Sequence, residues 1–98
     1  MSLREWERAR AAVEAIARVF ERHQGGVFDA GALRELDHHA YAVRVCTADR
    51  LCREILGRIQ DRAAVYFSSR ALSVESLGLE IEQAVGALRA RLRELGPA

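Results

Sequence analysis

Apolar residues recur every three or four positions almost from end to end of this 98-residue chain. That is the period of α-helices packed on one side. The first stripe is Trp6, Ala9, Val13, Ile16 and Phe20, flanked by Ala12 and Val19. Ser2 precedes it as an N-cap, and the stripe predicts a helix to about Gln24, stopped by Gly25 in the left-handed conformation glycine tolerates best. The pairs Arg10–Glu14 and Glu14–Arg18 mark its solvent side at i,i+4 spacing. After a loop over residues 25–28, Asp29 caps a second helix, with Phe28 and Leu33 placed to form a hydrophobic staple. Its stripe is Leu33, Leu36, Ala40 and Val43, with His39 and Cys46 at the edge. A short connection between opposed stripes predicts an antiparallel hairpin.

Between residues 32 and 56 there is neither Pro nor Gly, so local sequence does not force the second helix to end. The apolar set changes face, however. From Ala48 onward it is Leu51, Cys52, Ile55, Ile59, Ala63 and Tyr66, centred about 180° from the earlier stripe on one helical wheel. One helix cannot bury opposite faces at its two ends in a compact monomer, so a break near Thr47 is expected, with Thr47 as the new N-cap. Residues 68–70, Ser-Ser-Arg, read as a turn, and Ser73 caps a last helix with Leu72 and Leu77 as its staple. That helix carries Val74, Leu77, Ile81, Ala84, Val85, Leu88, Leu92 and Leu95, and ends at Gly96 and Pro97.

The pattern predicts an all-α fold over residues 1–98 as one domain, an antiparallel up-down bundle of four helices. The alternative is three helices with one long central helix, since Tyr41, Val45, Ala48, Cys52, Ile55 and Ile59 also form a continuous heptad track. Such a helix would be about 60 Å long and would need a second subunit to cover it.

Composition adds exclusions. The formal charge is +1 and all fifteen basic residues are Arg, so no strong field exists to hold nucleic acid or an anionic membrane. No apolar run approaches the roughly 20 residues of a membrane span. Cys46 and Cys52 lie about 240° apart on a helix and are expected to be free thiols, which suits a cytoplasmic location.

Candidate chemistry is sparse. Glu35 and His38 have the E-x-x-H spacing of carboxylate-bridged metal bundles, and Glu35 and His39 are one turn apart. The motif occurs once where such sites need it twice. His23 is level with about Ala30, some 13 Å along the axis from His39, so no third ligand is expected within one chain. The structural expectation is a partly buried His39, a surface His38, a solvated Glu35 and no cofactor. No nucleophile elbow, phosphate loop or Cys-x-x-Cys pair is present, so the chain does not read as an enzyme.

The broadest unusual feature is the third segment. Leu51, Cys52, Ile55, Leu56, Ile59, Ala63, Tyr66 and Phe67 spread over about 160°, against about 100° for an ordinary surface helix, and Leu51, Ile55, Leu56, Ile59, Tyr66 and Phe67 are its candidate interaction face. Either this is the central helix of the bundle or the face meets another chain. The resulting expectation is a small non-catalytic interaction module, regulatory, adaptor or chaperone-like, working through this face as a homodimer or with a protein partner. The competing expectations are a metal-binding or redox bundle completed across a dimer by transition-metal ligands Glu35, His38 and His39, and a small accessory subunit of a larger enzyme.

Overall fold

Each helix starts where a polar side chain satisfies backbone N–H groups that have no partner of their own. In the computed structural model, which describes residues 1–97, the helices are α1 (Leu3–Arg22), α2 (Ala30–Cys46), α3 (Arg50–Tyr66) and α4 (Val74–Leu95). No strand occurs among the described residues. Ser2 Oγ accepts from the Glu5 N–H while the Glu5 carboxylate accepts from the Ser2 N–H, a reciprocal capping box. Asp29, Asp49 and Ser73 accept from the backbone N–H of Ala32, Cys52 and Ser76 and so begin α2, α3 and α4.

The helices form the expected four-helix bundle. Backbones approach between α1 and α2, α2 and α3, α3 and α4, and α4 and α1, and stay apart across both diagonals. Cross-links show the antiparallel sense of α1 and α4, where Trp6 donates to Leu92 and Arg89 donates to Glu14, and Gln60 donates to Asp37 between α3 and α2. Ile16, Leu36, Leu56, Ile59, Leu88 and Leu92 are buried along the axis, and no polar or charged residue is buried among the described residues. Each such side chain contributes about 1.5–3 kcal/mol by leaving water.

The break between α2 and α3 is real, which excludes the long central helix. Its chemistry differs from the expectation in one respect: the new N-cap is Asp49, and Thr47 is instead the extended C-cap residue of α2. Thr47 Oγ1 accepts from the Asp49 N–H at 3.1 Å, so the turn makes its own hydrogen bonds in place of the helical ladder. This turn rotates α3 until its apolar arc meets the same core as α2.

Three other local expectations need correction. The left-handed residue after α1 is Gly26, at φ 79°, and not Gly25. Gly25 is held for a different reason, because a Cβ there would lie 2.5 Å from the Tyr66 ring. Neither staple buries its leading residue: Phe28 is 70% exposed and Leu72 is 101% exposed.

Candidate functional site

The six residues expected to form an interaction face are mostly interior. Ile55, Leu56, Ile59 and Phe67 are 4%, 0%, 1% and 0% exposed, so that face is covered within the chain itself. A helix with neighbours on both sides must be apolar over a wide arc, and α3 packs against both α2 and α4. Leu51 is the exception at 45% exposure, and Tyr66 is half-buried at the end of α3.

The Glu35, His38, His39 cluster is only partly assembled. His38 is exposed and packs its ring edge-on to His39, with centroids 5.3 Å apart. Glu35 is paired with Arg22, and its other oxygen lies 3.3 Å from His23 Nε2. Burial pushes the Glu35 carboxyl up, but the Arg22 guanidinium and His23 outweigh it and hold it below the usual range. His39 Nε2 is 3.9 Å from the same carboxylate, and burial followed by the neighbouring His38 pushes its pKa down. His23 Nδ1 lies 3.2 Å from Asp29, so the ring ties the start of α2 to its middle. The register that puts His23 level with about Ala30 agrees with its contact to Asp29; what it leaves out is the second ring nitrogen reaching Glu35 from the extended residue after α1. No group of three or more His, Cys, Asp or Glu among the described residues is arranged to hold a metal ion.

The cysteines are free and buried. Burial, followed by the Asp49 hydrogen bond, pushes the Cys52 thiol up to about 11, the reverse of what a nucleophile needs.

The feature that sequence reading did not find lies on the seam between α1 and α4. At one end the seam is cross-linked and holds only a small pocket of about 100 Å³. Trp6 Nε1 donates to the Leu92 carbonyl at 2.7 Å, and the Arg89 guanidinium makes two parallel bonds of 2.8 and 2.7 Å to Glu14. The Arg89 hydrogen bonds hold the Glu14 carboxyl below its usual range. Beyond Arg89, toward the start of α4, no hydrogen bond or ion pair joins the two helices among the described residues. There a groove of about 560 Å³ opens. Phe20, Tyr66, Leu79, Ile81 and Val85 supply its apolar lining, and Glu21, Glu75 and Glu82 its acidic margin.

Small residues account for the opening. Ala17 on α1 and Gly78 on α4 line the groove, and a Cβ on Gly78 would meet only Tyr66 Cε1, at an ordinary 3.8 Å. The sequence signal was Gly78 itself, a glycine kept inside a helix at a cost of about 1 kcal/mol relative to Ala.

Among the described residues no helix is long and apolar enough to cross a membrane. Compared with known protein families, with curated proteins and with solved structures, the chain matches none.

Proposed function

We propose that this chain is a non-catalytic interaction module that docks a segment of a protein partner in the groove between α1 and α4. The observation that carries the reading is the unfilled apolar seam: a bundle whose other side chains pack to an apolar core leaves Phe20 half-buried and Leu79 exposed along an open channel, with Val85 buried beneath. A groove lined by apolar side chains from two parallel ridges is the shape into which a partner helix lays its apolar face. The docking surface is therefore the α1–α4 seam, and α3 supplies the core behind it. The free buried thiols suit a reducing, cytoplasmic setting.

The reading is tested by selecting a displayed library of helical peptides on the wild-type protein and on Gly78→Leu, which fills the groove from a position with room for a side chain. Selected peptides are expected to bind the wild type and to lose at least about tenfold in affinity on Gly78→Leu, or about 1.4 kcal/mol. Peptides that bind both proteins equally, or no enrichment on a folded wild type, would overturn it.

A further inference from the structure

We infer that the segment seated in this groove is a basic amphipathic helix from a protein partner, an inference that rests on the docking role proposed for the α1–α4 seam. The margin is one-sided in charge. Glu21, Glu75 and Glu82 border the groove and none takes part in an ion pair among the described residues. The single cation at the site, Arg89, is already neutralised by the two bonds it makes to Glu14. An occupant therefore meets an apolar floor and uncompensated negative charge on both sides, from α1 and from α4.

Length favours a helix. Along α4 the lining runs from Glu75 to Arg89, about 21 Å or four helical turns, while α1 contributes only Ala17, Phe20 and Glu21, so an occupant lies chiefly along α4. An occupant of four turns with apolar anchors at i, i+4, i+7 and i+11 and Arg or Lys beside them matches both the floor and the margin. The same charge argues against a second copy of this chain. Pairing two grooves about a two-fold axis would set Glu21, Glu75 and Glu82 of one copy against the same carboxylates of the other, and like charges so placed repel.

The test uses three synthetic helical peptides of about 16 residues, long enough to cover the groove. They share the same leucine anchors and carry Arg, Gln or Glu at the flanking positions. Fluorescence anisotropy measures their binding to the wild type, to Gly78→Leu and to the triple variant Glu21→Gln, Glu75→Gln, Glu82→Gln, with circular dichroism confirming that each variant is folded. The Arg peptide is expected to bind about tenfold tighter than the Gln peptide, to lose that advantage on the triple variant, and to weaken as salt is raised. If the Gln or Glu peptide binds as well as the Arg peptide and Gly78→Leu still abolishes binding, the groove docks helices but the basic partner is wrong. If no peptide depends on Gly78, the docking role and the inference fall together. Self-association of the wild type that Gly78→Leu abolishes would assign the groove to a second copy and overturn the basic helix.

Discussion

The two ends of this bundle are built from the same four helices and are held by different chemistry. At the end carrying the turn between α2 and α3, directional polar bonds lock the helices in register. Asp49 caps α3 and also accepts two bonds from Arg91 of α4, at 3.0 and 2.8 Å, while Trp6 of α1 donates to the Leu92 carbonyl. At the opposite end Arg22 and His23 still bond Glu35 and Asp29 across α1 and α2, but the link from α1 to α3 is aromatic. Phe20 stacks on Phe67 with centroids 5.5 Å apart, Tyr66 packs edge-on to both, and the Gly26 N–H donates to the Tyr66 carbonyl at 2.7 Å. Those contacts tie α1 to the end of α3, and Arg62 pairs with Glu80 at 3.5 Å between α3 and α4, but no polar bond among the described residues joins α1 to the start of α4. The groove opens there, and the two most exposed large apolar residues, Leu72 and Phe28, are in the loops of that end. Hydrogen bonds and ion pairs close a seam at fixed points, whereas a cluster of rings fills the interior without sealing the seam beside it.

The strongest way to break the contrast is to remove the aromatic link. Phe67 is fully buried, so Phe67→Ala is expected to cost about 3–5 kcal/mol in urea unfolding, the cavity adding to the lost transfer energy. A loss below 1 kcal/mol would mean that the ring cluster does not hold the loop end.

Asp49→Ala attacks the opposite end, removing the α3 cap and the acceptor of Arg91, and is expected to cost about 2 kcal/mol. The same residue carries a pH signature. The Arg91 hydrogen bonds, followed by the Cys52 N–H, hold the Asp49 carboxyl well below the usual carboxylate range. A depressed folded-state pKa gives stability that is fully present above the unfolded value near about 4 and is lost as pH falls below it. Glu14, Asp29 and Glu35 are shifted in the same direction. Thermal unfolding followed from neutral pH downward should therefore show a steep acid limb, shallower in Asp49→Asn. An unchanged limb in that variant would show that Asp49 is not its main source.

Two glycines sharpen the comparison with opposite signs. Gly25→Ala drives a methyl into the Tyr66 ring and is expected to destabilise the loop end by at least about 1 kcal/mol. Gly86→Ala places a methyl on α4 where nothing lies within 4 Å and is expected to stabilise by up to about 1 kcal/mol. Melting temperatures of the two variants should move in opposite directions.

The smallest expected effect is at Leu72. With the side chain fully exposed, Leu72→Ser should change stability by less than about 0.5 kcal/mol. A larger loss in calorimetry would show that the loop between α3 and α4 packs more tightly than its exposure indicates.

What the sequence determined alone is what local interactions determine. Helix class and the caps at Ser2, Asp29 and Ser73 follow from periodicity and from side chains bonding to backbone groups a few residues away, whereas the continuous heptad track from Tyr41 to Ile59 leaves helix number open until α3 packs beside α2. Thr47 and Asp49 both read as good caps in the sequence; the structure uses Asp49, which also accepts from Arg91, a residue 42 positions distant. The apolar arc of α3 was legible as wide, but whether Ile55, Leu56, Ile59 and Phe67 face a partner or a core depends on where α2 and α4 lie beside it. His23 reached Glu35 only once the chain had turned out of α1. The groove was the least legible feature. A gap between helices is a property of two surfaces at once, and the smallness of Ala17 and Gly78 acquires meaning only when the fold sets α1 beside α4.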